Sequence, residues 1–211
     1  MSNIVHEEEY WGYGIEIAYD EDTESPREWD NFGHMVCFHK KYSLGDKHDV
    51  CHEDFDGWEE MEEYLRKERG AFIILPLYLY DHSGITMSTS PFGCRRDSGQ
   101  VGFTYCTERE MLDTFAGSCT LGEIKERAEK LLRSEVKTYD QYLRGEVYGF
   151  LVKGKDGEEI DSCWGYYEGY EYVLKEAKRA VDAELAYLLG ERLKKLKRYI
   201  QYRVPFEQRF V

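Results

Sequence analysis

No apolar stretch of this 211-residue chain is long enough to cross a bilayer: the longest, Ala71 to Leu79, is about half of the roughly 20 residues required and contains Pro76. No transmembrane helix is expected. The opening residues, Met1 to His6 followed by Glu7, Glu8 and Glu9, contain neither a basic n-region nor an apolar h-region. A secretory signal is therefore not expected, and the expected location is the cytoplasm. There the six cysteines, Cys37, Cys51, Cys94, Cys106, Cys119 and Cys163, are expected to be thiols and not a disulfide framework. The sequence also lacks the glycine spacing of a dinucleotide or phosphate loop, although Trp11-Gly-Tyr-Gly14 and Cys163 to Tyr172 are rich in glycine and aromatic residues. Internal repeats, low-complexity linkers and a clean domain boundary are missing too, which points to one domain over residues 1–211.

What is present is enough apolar surface for a core. Hydrophobic residues make up 42% of the chain and aromatic residues 15%, and disordered or collagen-like chains do not have that composition. The formal charge is -14, and it is unevenly spread. Residues 1–70 hold 20 acids against 7 bases, whereas residues 71–145 and 146–211 are close to balanced. Such a field repels phosphate backbones and favours association with basic surfaces, so direct nucleic-acid binding and a membrane partner are not expected. The alternative reading of the acidity is a solubility device.

Hydropathy periodicity predicts an α+β domain, a mainly antiparallel sheet packed with three main helices. Gly14–Tyr19 alternates as a first strand after an acidic, aromatic lead-in, and His34–His39 is a second. Asp54 or Asp56 is placed to cap a helix ending near Arg69, with Phe55, Trp58, Met61 and Leu65 on its core face. Gly70 ends it. The run Ala71–Tyr80 reads as a central strand broken or bulged at Pro76, paired with strands at Ile85–Thr89 and Val101–Thr107.

Thr120-Leu-Gly-Glu123 has the capping-box pattern, opening a helix whose apolar face is Leu121, Ile124, Ala128, Leu131, Val136, Tyr139 and Leu143. A hairpin over Glu146–Cys163 turns at Asp156-Gly157. A long helix follows, from about 167 to 202, lining up Val173, Ala177, Ala180, Leu185, Leu188, Leu196 and Ile200. It carries a basic stretch near its end, and Pro205 closes it.

Three groups of residues could carry function. His34, Cys37, His39, His48, Cys51 and His52 include zinc-ligating types, with Cys37, His39, Cys51 and His52 the candidate ligands, though the spacing is not that of a zinc finger or ribbon. A buried thiol with surface imidazoles accounts for them equally, and no cofactor is expected. Asp81-His82-Ser83-Gly84 and Arg95-Arg96-Asp97-Ser98 place a histidine near carboxylates and arginines at strand ends, which suits acid–base chemistry on an anionic substrate. In that reading Asp81, His82 and Asp97 are the candidate catalytic residues; Asp, Ser and Gly are also ordinary turn formers. The third group is the acidic surface itself: Glu59, Glu60, Glu62 and Glu63 off the apolar stripe of the first helix, supported by Glu7, Glu8, Glu9, Asp20, Glu21 and Asp22.

The stretch Leu75-Pro-Leu-Tyr-Leu-Tyr-Asp-His-Ser-Gly-Ile-Thr-Met-Ser-Thr-Ser-Pro-Phe-Gly-Cys94, continued by Asp97 to Phe103, Thr138 to Leu143, Gly145 to Phe150 and Asp161 to Gly165, resembles a family of uncharacterised proteins carried by bacteriophages and mobile elements. The resemblance covers about residues 70–170 and implies a phage-type accessory protein, a class that includes inhibitors of host defence. It carries no assigned catalytic residues. Joined to the acidic amino-terminal third, it leads to the expectation of a non-enzymatic, DNA-mimicking inhibitor of a CRISPR effector or restriction enzyme, bound through a basic nucleic-acid-binding surface of that host protein. The competing expectations are a hydrolase acting on a nucleotide or defence signal and a zinc-stabilised binding module.

Overall fold

The structure is a computed structural model, and it describes residues 3–115, 117, 120–203, 205 and 208. In chain order the elements are β1 (Ile4–Tyr10), β2 (Tyr13–Tyr19), β3 (His34–Cys37), α1 (Trp58–Glu68), β4 (Ala71–Asp81), β5 (Ile85–Ser88), β6 (Ser98–Thr107), α2 (Glu108–Phe115), α3 (Leu121–Leu143), β7 (Tyr148–Lys153), β8 (Glu159–Tyr166) and α4 (Tyr170–Arg203). Short 3-10 turns at Pro26–Glu28 and His52–Asp54 lie in the loops around β3. The fold class is α+β with antiparallel pairing throughout.

The strands form two sheets where one was expected, and the chain divides into two compact units, residues 1–21 with 147–211, and residues 22–146. The second unit is inserted between two strands of the first. A boundary of that kind needs no change of composition.

In the discontinuous unit the sheet order is β1-β2-β7-β8. The acidic, aromatic lead-in to the expected first strand is itself a strand, β1. It is a strand because Trp11 and Gly12, at φ 53° and 79°, make the two-residue turn with both central residues left-handed that closes tight hairpins. Tyr13, Ile15 and Ile17 of β2 face inward, and Phe150 and Val152 of β7 join them under Val173, Ala177 and Val181 of α4. Gly149 has no side chain because the Trp164 indole lies across it, where a Cβ would overlap the six-membered ring. The long helix stops being a core element halfway. Leu185 is only partly buried against this core, and Leu188, Leu196 and Ile200, expected in the core, are exposed.

In the unit of residues 22–146 the order is β3-β6-β4-β5. β4 runs through Pro76, and the expected irregularity is a register shift between Leu77 and Tyr78. β5 reaches only as far as Tyr78, so β4 has a neighbour on one side at Pro76, where a missing N–H donor is tolerated. The capping box at Thr120 and Glu123 forms as expected. Leu132, not Leu131, is fully buried on α3, and Leu121 is exposed. α1 begins at Trp58, four residues after Asp54 and two after Asp56, with Gly57 and not either aspartate at its cap, and the Glu60 carboxylate instead accepts from the Asp56 N–H at 2.7 Å. α2 was not anticipated. Thr107 and Glu110 fix its start through hydrogen bonds of 2.8 Å from the Thr107 N–H and hydroxyl to the Glu110 carboxylate.

Candidate functional site

The ends of β4 and β6 bring one predicted constellation together. The Asp81 N–H donates to the Asp97 carbonyl at 2.8 Å, so the chain segments after β4 and before β6 run side by side. His82 Nδ1 then lies 3.6 Å from Asp97 Oδ2, and the Cys94 thiol donates to the same oxygen at 3.4 Å. Asp81 turns the other way. It accepts from the Tyr42 hydroxyl at 3.3 Å and faces Lys41 Nζ at 3.5 Å. The two serines of these loops are not placed as nucleophiles: Ser83 Oγ donates to the His82 carbonyl at 2.6 Å, and Ser98 Oγ donates to the Cys94 carbonyl. Ser83, at φ 55°, makes the tight turn with Gly84.

Two recesses, of about 620 and 560 Å³, adjoin this cluster on either side of the segment that follows β3, and they share Phe38, His39, Lys40 and His52. Asp81, Arg96, Asp97 and Trp58 line the second. His39 Nδ1 accepts from the backbone N–H groups of Lys41 and Tyr42, both at 3.3 Å, which directs its other nitrogen outward as the donor. Its ring stacks on Tyr42 with centroids 5.0 Å apart. Phe38 and Trp58 hold His52 edge-on at 5.5 and 5.2 Å. Cations, aromatic rings and a hydrogen-bonding imidazole therefore line a groove that also carries carboxylates. Lys40 was not singled out from the sequence and Trp58 was read there only as a core-face residue of the helix, since their place in the groove depends on which loops meet.

The zinc candidates do not converge. β3 ends at Cys37, so the strand alternation that would align Cys37 with His39 stops there. Cys37 is packed with Leu44 and Leu77, and burial pushes its thiol up to about 12, away from the thiolate a metal needs. Cys51 is exposed, and His52 is held by the two aromatic rings. Among the described residues no three His, Cys, Asp or Glu side chains are grouped to hold a metal ion. Cys119 lies outside the described residues; the other five cysteines are free thiols.

The acidic candidates are distributed over both units. Glu7, Glu8, Glu9, Asp20 and Glu21 belong to the discontinuous unit, Asp22 and the helical four to the other. Along β1 the side chains alternate: Glu8 pairs with Lys178 at 2.7 Å, which holds its carboxyl below the usual carboxylate range, while Glu7 and Glu9 are exposed. Glu21 accepts from the Asn3 side chain. On α1, Glu62 pairs with Arg66 and Glu63 with Lys67, at 2.7 and 2.6 Å. Acids in the first turn and bases in the last also suit the helix dipole. The concentration of acid that remains lies further upstream, where Glu53, Asp54, Asp56, Glu59 and Glu60 are all exposed and residues 53–65 contain no Lys or Arg.

No helix among the described residues is long and apolar enough to cross a membrane. No family model matches the chain, and neither curated proteins nor solved structures provide a match.

Proposed function

We propose that the protein works by binding: it is a phage-type accessory factor that occupies a basic, nucleic-acid-binding surface of a host defence protein, a CRISPR effector or restriction enzyme, in the host cytoplasm. The observation that carries this reading is the acidic edge at residues 53–60. Phe55 and, further on, Met61 and Leu65 turn inward, which leaves five exposed carboxylates within eight residues and no cation among them. Glu62 and Glu63, half neutralised by their partners, extend that edge along α1. A surface built to release counterions from phosphates accepts closely spaced carboxylates for the same reason, and it loses them as salt rises. The test is inhibition of DNA cleavage by a panel of purified restriction and CRISPR nucleases. Reversing Asp54, Asp56, Glu59 and Glu60 to Lys should abolish inhibition in a protein that still melts cooperatively, because none of the four is in the core, although loss of the Glu60 hydrogen bond and of the first-turn acids lowers the melt somewhat. Inhibition that survives the reversal, or no inhibition by the unaltered protein anywhere in the panel, overturns the reading.

The pairing of His82 with Asp97 at the end of a groove lined by Lys40, His52, Trp58, Asp81 and Arg96 supports a second reading, a hydrolase acting on a nucleotide or defence signal. Trp58 offers a ring for a base and the cations offer contacts for phosphate. Turnover of a nucleotide panel that disappears in His82→Ala, with the fold intact, would establish it; absence of turnover would remove it.

A further inference from the structure

α4 is 34 residues long, yet its buried residues are Val173, Ala177 and Val181, all in its first half. The apolar series continues beyond them. Leu185, Leu188, Leu189, Leu193, Leu196 and Ile200 fall, at about 100° per residue, within an arc of about 140° on one side of the helix. Leu189, Leu193 and Leu196 are 61%, 56% and 52% exposed. Lys194 and Arg198 occupy the opposite side, Lys197 lies beside the edge of the stripe, and Arg192 falls within its arc. Six aliphatic side chains in one stripe leave on the order of 500 Å² of apolar surface, within the upper part of the range of the largest patch on a monomer, where such patches are often functional.

We propose that this stripe is a self-association surface, and that a second copy of the chain covers it with the same stripe in a closed two-fold pair. The spacing supports that occupant. Leu189, Leu193, Leu196 and Ile200 are separated by four, three and four residues, which is the alternating spacing of a coiled-coil seam, and every copy of the chain carries the matching seam. Two such faces together remove about 1,000 Å² from water, the lower bound for a specific pair, so the dimer is expected to be a weak, concentration-dependent one. The charges allow it: Arg192 and Lys197 flank the seam, while Lys194, Lys195 and Arg198 point away from it. An anionic bilayer is the poorer occupant, since the whole chain carries a charge of -14.

Salt separates the possibilities. Two basic helix ends repel, so self-association should tighten as ionic strength rises, whereas docking on an acidic protein or an anionic bilayer should weaken. The experiment is analytical ultracentrifugation of the full chain across protein concentration, at low and high salt. The expected result is a monomer–dimer equilibrium that shifts toward dimer at high salt, and a monomer at every concentration for Leu193→Glu with Leu196→Glu. Lys197→Glu is a second variant that leaves the seam intact; it should strengthen the dimer at low salt. A protein that stays monomeric up to about 100 μM, a dimer that persists in the double variant, or flotation of the monomer with phosphatidylserine vesicles would overturn the proposal.

Discussion

Arg27 and Asp46 form a two-point ion pair, Nε to Oδ1 at 2.7 Å and Nη2 to Oδ2 at 2.9 Å, with the Arg27 side chain only 4% exposed. The pair ties the loop before β3 to the loop after it. Arg27 also donates to the Gly33 carbonyl, and Asp46 also accepts from the Met35 N–H, both at 2.7 Å. Glu135 of α3 lies 3.7 Å from the guanidinium and accepts from the Phe32 and Gly33 N–H groups at 2.6 and 3.0 Å. Three segments that are distant in sequence are thus held by one charged cluster, and none of its members was singled out from the sequence.

Removing the arginine should therefore cost more than removing a surface charge. In Arg27→Met the Asp46 and Glu135 carboxylates lose their compensating cation in a mostly buried site, which typically costs about 3–5 kcal/mol. Urea unfolding should show that loss. A change below about 1 kcal/mol, the size of an exposed pair, would mean that water has replaced the guanidinium.

Burial pushes the Glu135 carboxyl above its ordinary range, in spite of the two N–H donors and Arg27 that pull it down. The folded state therefore holds its proton more readily than the unfolded chain. This contribution to stability is fully present below the ordinary carboxylate pKa and is lost as pH rises through the folded value. Glu135→Gln abolishes that titration, so the stability of the unaltered protein relative to the variant should fall as pH rises above the ordinary carboxylate range, about pH 4. Paired melts at rising pH check the sign, and a gap that widens with pH contradicts it.

Gly149→Ala should destabilise by about 1–3 kcal/mol, the usual cost of overpacking, because the new methyl overlaps the Trp164 ring. Trp164→Ala made in the same chain should recover most of that loss. Thermal melts of the single and double variants show whether the two positions couple.

The cysteines should divide by burial. Cys37 and Cys106 are buried, with their thiols pushed up to about 12 and about 11. Cys51, Cys94 and Cys163 are exposed. Iodoacetamide at mildly alkaline pH should label these three in the folded protein and reach Cys37 and Cys106 only after denaturation. Peptide mass spectrometry gives the answer site by site.

By itself the sequence determined most of the local structure. Period-two alternation at Tyr13–Tyr19, the turn at Asp156-Gly157 and the reciprocal cap of Thr120 and Glu123 depend on residues close together in the chain, so short-range rules are enough to find them. It also carried the unequal charge and the residue types of the groove. The tertiary structure decided what depends on distant pairing: that the first and last strands share a sheet, with another compact unit inserted between them, and that His82 and Asp97 meet. It also left Cys37 in the core and away from any ligand set. The second half of α4 shows the difference most directly. Its leucines have the spacing of a buried face, and periodicity reports only that a face exists; whether that face is covered depends on how far the sheet beneath it extends.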